Sequence, residues 1–600
     1  MPSELISNPV NKMAGGFTPV RGSLPPAAPT VWFCPIADRN TMLFRGDQFA
    51  TRTSNLPALY ANQFTSITGA TFDGFITAPD GTTNTMQLIK EDNTTNTHGI
   101  FSGHMQLTYG INFYPRMRLS GFFKAGPGRT RVTSQIQFFS SAGGNQTTTI
   151  NTVYDLAGGQ VGVAPTIVNN GQGAFVGSWN QLTTYGAQVI NFGGNVFRCD
   201  MDYSLFCGQY TGMSVSWFVD AGTGAGAMNI SYAGNGTSGV YGWRVSLMPT
   251  AVYAMNTVAM FDDFTSLSSI DVNGTLAPGF KWYSKQSWNP FAPTSGTFFL
   301  AANKYNINTP SILTIGPDNV APGLAISMAS AAQLNSSTGT YVGTGWQPPL
   351  FFEGNFAYDV RSINIGTVIT MWTDALEYIA TQGAAKPGLI GMEVDISEND
   401  GPGLGGGPGS PLPNCTCWLY RPPPPLNLGV NQIKAQGGIN FRGSPVWVAT
   451  CEWPAGAAVI DPFDSLRYEC INTANMGQAP HNTVGTKYTL APYTGPSSAG
   501  TPKDPGTYDY YNFHTYAGLI IPVASPGGPT ASDAVGWVIC FYDGLMTADL
   551  CVMGRSEVGG GNFQDIFQGL IQASAYHFPL FFGCDSNIPL NIDWARVTTN

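Results

Sequence analysis

Residues 212–220 read GMSVSWFVD. Met213, Val215, Trp217 and Val219 alternate with Ser214, Ser216 and Phe218, which is the period of a β-strand with one face buried. Residues 366–374 (GTVITMWTD) and 535–543 (VGWVICFYD) repeat the phrase. Each copy ends in an aromatic, one more residue, an aspartate and a small residue: Phe218-Val219-Asp220-Ala221, Trp372-Thr373-Asp374-Ala375 and Phe541-Tyr542-Asp543-Gly544. The aspartates are spaced by about the length of one β-sandwich domain. The phrase is therefore expected to mark the same late strand of three successive β-domains.

Working outward, the chain has 600 residues, too many for one core. Only 10% are charged, against about 25% in an ordinary soluble domain. There are 73 Gly and 43 Pro, and aromatics make up 12%. Disordered chains lack aromatics, so this one folds. Many turns and few charges predict an all-β protein whose surface is covered by neighbours or by neutral Thr, Ser and Asn.

Net charge is −10, and the first forty residues carry only Lys12, Arg21 and Arg39 as cations. No basic arm can neutralise phosphates, so contact with nucleic acid is expected to be weak. No Cys-x-x-Cys pair occurs among the ten cysteines, which argues against a zinc ribbon. Cys415 and Cys417 fall in a Pro-rich stretch, and Cys540 and Cys551 are expected to be buried thiols. The start MPSELISNPV has no apolar core of a signal peptide. No apolar run approaches the ~18 residues of a membrane span. Free thiols without a leader suit synthesis in a cytosol.

The expected organisation is an extended arm over 1–30, a sandwich over 31–251, a second over 252–398, a Gly/Pro-rich linker over 399–426, a third sandwich over 427–560, and a helix and tail over 561–600. In the first sandwich, 103–113 and 117–123 read as consecutive strands. In the second, Asp374 and Glu377 form a capping box that would start a short helix, and 324–334 suits a helix as well as a strand. The linker contains Pro422, Pro423, Pro424 and Pro425. Over 562–576, Phe563, Ile566, Phe567, Leu570, Ile571 and Ala575 share a helical face, and Asn562 can cap it. The apolar segment 577–582 (HFPLFF) must dock on something.

Chemistry-bearing motifs are sparse. The five histidines, His98, His104, His481, His514 and His577, have no metal-binding spacing. Residues 234–239 (GNGTSG) match G-x-G-x-x-G, but the following Val240-Tyr241-Gly242-Trp243-Arg244 is not helical, so a glycine turn is expected. Glu393, Asp395, Glu398 and Asp400 form the densest acidic cluster. On a loop they would be a weak calcium candidate, against a solvated loop as the plainer reading. Asp220, Asp374 and Asp543 are expected to close their strands by accepting backbone N–H bonds. No catalytic residue or cofactor is expected.

Ser102-Gly103-His104-Met105-Gln106-Leu107, followed by Arg118-Leu119-Ser120-Gly121-Phe122-Phe123, resembles the paired central strands of picorna-like virus capsid jelly rolls. Phe441-Arg442-Gly443-Ser444 resembles the same start in the third domain. The marker phrases, each followed by a second short strand, resemble the last two strands of such domains. Three of them in one chain look like the single coat protein of nepoviruses. The resemblance covers about residues 31–555; the second domain lacks the aromatic-x-Gly start and the third carries a long insert near 472–505. Two jelly rolls with larger loops are the open alternative.

The resemblance implies tandem jelly-roll β-sandwiches, three by this count, with a short C-terminal helix and extended arms. It implies a structural capsid protein, not an enzyme, that self-assembles as about 60 copies into an icosahedral shell. The shell would enclose a viral RNA genome, with weak genome contact and room for a second capsid protein. The expected location is the virion, assembled in the host cytoplasm. The rival readings are a double-jelly-roll coat protein of a DNA virus, assembling as trimers, a glycan-binding β-sandwich protein and a β-rich hydrolase.

Overall fold

The structure is a computed structural model. It describes residues 65–67, 69–79, 84, 86–101, 105–106, 113–140, 147–170, 181–206, 210–284, 297–301, 312–316, 326–335, 340–358, 368–374, 376, 391–399, 413–420, 432–437, 458–460, 467–472, 478–490, 513–523, 535–542, 545–546, 577–584 and 590–600. As expected, the fold is all-β. Among the described residues the helical segments are short 3₁₀ turns, Thr250–Ala254, Leu267–Ser269 and Pro480–Asn482. The chain forms two compact units, whose described residues lie within Pro25–Ala254 and within Met255–Gly495 plus Asp504–Asn600.

The first unit begins with β1 (Thr65–Ile67), β2 (Ala70–Ile76), β3 (Met86–Glu91), β4 (Thr95–Thr97), β5 (Gly99–Phe101) and β6 (Met105–Gln106). It continues through β7 (Phe113–Ala125), β8 (Arg131–Ser140), β9 (Thr147–Asp155), β10 (Gln160–Asn170) and β11 (Gln181–Asn191). It closes with β12 (Val196–Phe206), β13 (Tyr210–Asp220), β14 (Ser231–Ala233) and β15 (Gly239–Pro249). One sheet has the order β1-β5-β13-β8-β9-β10, and the other β11-β12-β7-β15-β3-β2. Take β3, β5, β7, β8, β9, β12, β13 and β15 as strands one to eight. One sheet then carries 1-8-3-6 and the other 2-7-4-5, so the chain crosses between sheets as a jelly roll does.

Strand alternation fills the core of this unit. Leu119, Met201 and Leu247 stand in one row across three paired strands, and Gly121, Cys199 and Val245 in the next. From the opposite sheet, Trp217 lies 4.5 Å from the Phe123 ring, and Phe138 lies 5.9 Å from Tyr203. Gly121 makes room for this, because a Cβ there would sit 3.2 Å from the Trp217 ring. Aromatic pairs of this kind contribute ~0.5–1.5 kcal/mol beyond area burial.

The second unit runs through β16 (Thr257–Asp262), β17 (Ile270–Asp271), β18 (Trp282–Tyr283), β19 (Phe298–Ala301), β20 (Ile312–Ile315) and β21 (Ile326–Ala329). Next come β22 (Ala331–Asn335), β23 (Thr340–Gly343), β24 (Leu350–Tyr358), β25 (Val368–Asp374), β26 (Gly391–Asn399), β27 (Pro413–Tyr420) and β28 (Gln432–Gly437). The small sheet β29 (Ala458–Ile460), β30 (Arg467–Cys470) and β31 (Tyr488–Leu490) follows. The unit ends with β32 (His514–Val523), β33 (Val535–Tyr542), β34 (Leu545–Met546), β35 (Phe581–Cys584) and β36 (Leu590–Thr599). Its sheets contain β20-β36-β24-β32 and β21-β35-β25-β26. With β20, β21, β24, β25, β26, β32, β35 and β36 as strands one to eight, these are again 1-8-3-6 and 2-7-4-5. The sheets face each other through Phe356 and Phe582, with ring centroids 5.9 Å apart.

The expected second and third sandwiches are therefore corrected to one. Strands from 252–398 and from 427–560 are hydrogen-bonded into common sheets: β24 pairs with β32 along its length. The linker at 399–426 is not a boundary, because β27 lies inside it and pairs with both β26 and β28. The tail is not a free arm either: β35 and β36 are the seventh and eighth strands of the second sandwich. Within the segment 324–334, the described residues 326–334 are strand on both sides of Ser330. The arm at 1–30 and the helix at 562–576 lie outside the described residues.

The repeated phrase marks no repeated position. Its copies are β13, the seventh strand of the first sandwich; β25, the fourth strand of the second; and β33, which lies beyond the sixth. What β13 and β25 share is burial on both faces, from Met213 through Asp220 in one and from Thr370 through Thr373 in the other. An apolar alternation closed by Asp reports that environment, not a place in the topology. The resemblance segments are likewise not paired with each other, because β6 pairs with β13 in one sheet while β7 pairs with β12 and β15 in the other.

Candidate functional site

Among the described residues, a cluster of charged side chains lies on the outer face of the β11-β12-β7-β15 sheet. Its cause is a period of two in the sequence. Arg116-x-Arg118-x-Ser120 on β7 and Arg198-x-Asp200-x-Asp202 on β12 each send their polar side chains to one face. Register then sets Arg118 opposite Asp202, Ser120 opposite Asp200 and Phe122 opposite Arg198. Arg116 donates from Nη2 to Asp202 Oδ2 at 2.8 Å, and Arg118 donates from Nε to Asp202 Oδ1 at 2.6 Å. Arg198 donates from Nε to Asp200 Oδ1 at 3.0 Å, and Gln188 of β11 donates to Asp200 Oδ2 at 2.8 Å.

The cluster is covered. Tyr253, on the turn Thr250–Ala254, lies 4.8 Å from the Arg118 guanidinium and 5.4 Å from that of Arg198. Its hydroxyl is 2.8 Å from Ser120 Oγ. Asp200 and Asp202 are buried, while the Arg116 side chain is half exposed. Burial opposes the Arg118 charge, but its hydrogen bond to Asp202 and the fields of Asp200 and Asp202 outweigh this and raise its pKa. Three guanidiniums face two carboxylates here, so the cluster carries an excess of positive charge.

The second sandwich has a counterpart. Glu353 of β24 and Arg596 of β36 oppose each other, with Arg596 Nε 2.7 Å from Glu353 Oε2. The neighbouring Gly354 faces the core against Phe582, so this pair also lies on the outer face of a 1-8-3-6 sheet. In both sandwiches the third strand carries one partner of an Arg–carboxylate pair.

One end of the first sandwich is fastened by two acids. Asp220 is fully buried. It pairs with Arg131 at 3.4 Å and accepts from Thr133 Oγ1, Gly222 N and Asn229 N at 2.8, 2.7 and 3.2 Å. The expected strand-closing role holds for this residue. Glu91 accepts from Arg129, from the Tyr232 hydroxyl at 2.8 Å and from Asn235 N at 3.0 Å. Asn235 Oδ1 in turn accepts from Thr237 N and Ser238 N, both at 2.9 Å. Residues 234–239 are thus a glycine turn, as expected, with Gly236 at φ 70.

Glu393, Asp395 and Glu398 lie on β26, between β25 and β27, not on a loop as the calcium reading required. Asp400 lies outside the described residues. Asp374 ends β25, and Asp543 lies outside the described residues. Among the described residues no group of three or more His, Cys, Asp or Glu is placed to hold a metal ion. His98 is buried, with its Nε2 3.1 Å from Tyr232 O and its Nδ1 against Gly69 O. His481 is on the turn Pro480–Asn482, His514 starts β32, His577 lies beside Tyr341, and His104 lies outside the described residues. Cys540 is disulfide-bonded, not the buried free thiol expected. Cys415 and Cys417 are on strand β27.

The Arg118–Asp202 cluster was not singled out from sequence. Its signal was available in the alternating Arg-x-Arg and Arg-x-Asp-x-Asp, which places like residues on one strand face.

No family model and no curated protein matches the chain. Solved structures with some likeness include an enzyme reported under endo-acting O-glycanases of human gut microbiota, at 14% identity and a TM-score of 0.25, over 57% of this chain and 100% of that one. Another is an endo-1,3-β-glucanase from Streptomyces sioyaensis, at 14% identity and a TM-score of 0.25, over 57% of this chain and 95% of that one. A non-specific endo-β-1,3(4)-glucanase of family GH16 matches at 13% identity and a TM-score of 0.21, over 57% of this chain and 91% of that one. Overlap this slight bears on neither activity nor substrate.

Proposed function

We propose that the chain is a structural capsid protein that assembles with copies of itself into a closed shell around a viral RNA genome. The observation that carries the reading is the strand order 1-8-3-6 and 2-7-4-5 occurring twice in one chain. Jelly rolls of this order are a building block of viral shells. A chain with 10% charged residues supports it further, because interface cores are depleted of charge. Closed assemblies need contacts that repeat by rotation, which rigid sandwiches can supply. The acidic net charge and the paired state of the Arg118–Asp202 cluster agree with weak genome contact.

The count of two sandwiches favours one second reading, the double-jelly-roll coat protein that assembles as trimers. Mass photometry and negative-stain microscopy of the purified full chain separate the two. Closed particles support the shell, discrete trimers support the second reading, and a monomer at all concentrations sinks both.

A further inference from the structure

Two irregularities in strand pairing meet beside Asp202. The β11–β12 register shifts between Thr184 and Gly186, and the β12–β7 register shifts between Tyr203 and Leu205. Bulges re-aim side chains and recur next to active sites. Here Tyr185 of β11 and Arg116 of β7 come together on the outer face of the sheet. The Arg116 guanidinium lies 4.7 Å from the centre of the Tyr185 ring, and the Tyr185 hydroxyl is 3.0 Å from Ser204 Oγ. Both residues are open to solvent in the folded chain, with the Arg116 side chain 50% and Tyr185 44% exposed.

An arginine this exposed is ordinarily mobile, but Arg116 is held. Its Nε and Nη2 both donate to Asp202 Oδ2, at 3.0 and 2.8 Å, and the stack on Tyr185 fixes the guanidinium plane. That uses one edge of the guanidinium. Among the described residues nothing accepts from Nη1, so the second edge, the fork between Nη1 and Nη2, is left for an outside acceptor. There is room beside it. Gly186 stands opposite Asp202, and a Cβ added there would meet nothing within 4 Å.

The charge count selects the ligand. Asp200 and Asp202 balance Arg118 and Arg198, whose side chains are largely buried, so the single surplus charge falls on Arg116 at the open margin. One surplus cation balances a monoanion, and a two-donor fork matches the two oxygens of a carboxylate. A nucleic-acid backbone fits poorly, because its affinity grows with the number of phosphates neutralised and this site offers one open cation. The net charge of −10 also repels a polyanion.

We propose that Arg116, Tyr185 and Gly186 form a surface site for a small monocarboxylate. The two carboxylate oxygens accept from Nη1 and Nη2 of Arg116, and the body of the ligand lies over Gly186 beside Tyr185. Because Arg116 is already ordered, binding costs little side-chain entropy. The site goes beyond the shell reading and does not depend on it.

Saturation-transfer NMR of the full-length chain tests it, with glucuronate as the probe and glucose as its uncharged counterpart. Glucuronate should bind saturably and glucose should give no saturable signal. Acetate, a bare carboxylate, should displace glucuronate. Arg116→Gln should raise the glucuronate midpoint about tenfold or more, since the charged fork is what holds the carboxylate. Arg116→Lys keeps a charge beside Asp202 but loses the fork, and should fall between the two. Asp202 stays paired with Arg118 in both variants, so the fold survives, which far-UV circular dichroism and the melting temperature verify. Absence of glucuronate binding, equal signals from glucose, or equal midpoints in the unaltered chain and Arg116→Gln each overturn the site. Displacement of glucuronate by oligouridylate at a lower concentration of phosphate groups than of acetate overturns the carboxylate assignment.

Discussion

Arg131 and Asp220 stand directly opposite each other across the β8–β13 pairing, both with fully buried side chains, joined at 3.4 Å. The guanidinium also donates to the carbonyls of Thr223, Gly226 and Ala227 at 3.2, 2.9 and 3.1 Å. The pair therefore fixes the loop after β13 to the strand beside it. Substituting Asp220→Ala strands a buried cation, which costs about 3–5 kcal/mol. Urea unfolding of the first sandwich reads this directly, and a loss below about 1 kcal/mol would place the pair among exposed ion pairs.

Glu91 is equally buried, but its partners sit on two different segments, Arg129 on one and Tyr232 and Asn235 on the other. Glu91→Ala should release residues 231–238 locally while the β7–β12 ladder holds. Hydrogen exchange should show faster amides over 231–238 and unchanged amides in β7.

Because β36 lies between β20 and β24, removing residues 590–600 takes out the eighth strand of the second sandwich. Calorimetry of that truncation should lose the transition that Glu353→Ala weakens and keep the one that Asp220→Ala weakens. A dispensable C-terminal arm would leave both transitions in place.

Cys199 is a free, fully buried thiol whose pKa is pushed well above the usual 9.0, by burial first and by the Asp200 charge second. A raised native pKa gives stability that is present below the unfolded value and is lost as pH rises. Above pH 9 the unfolded thiol ionises while the native one does not, so stability should fall by up to about 1.4 kcal/mol per pH unit. Tyr154 and Tyr203, both raised by burial, add to the fall above pH 10. Cys199→Ala should remove the first component, measured as a shallower slope of unfolding free energy between pH 9 and 10.

Strand character was legible wherever alternation was strong, as in Met213, Val215, Trp217 and Val219. The closing role of Asp220 was legible too, because Asp accepts backbone N–H groups at strand ends. Domain count was not. The jelly-roll order is set by long-range pairing, such as Phe352 with Val597, and no local pattern encodes a partner that distant. Gly and Pro at 399–426 look in sequence like a boundary between domains, yet β26 and β27 within and beside that stretch pair with each other. The Arg118–Asp202 cluster needed two separate strands in register, so only its halves were visible.

Cryo-electron microscopy of particles formed by the full-length chain tests the central claim most directly. The account predicts a closed shell in which each chain contributes two eight-stranded sandwiches, with β36 inside the second. A chain that remains monomeric, or a shell whose chains each contribute three sandwiches, would contradict it.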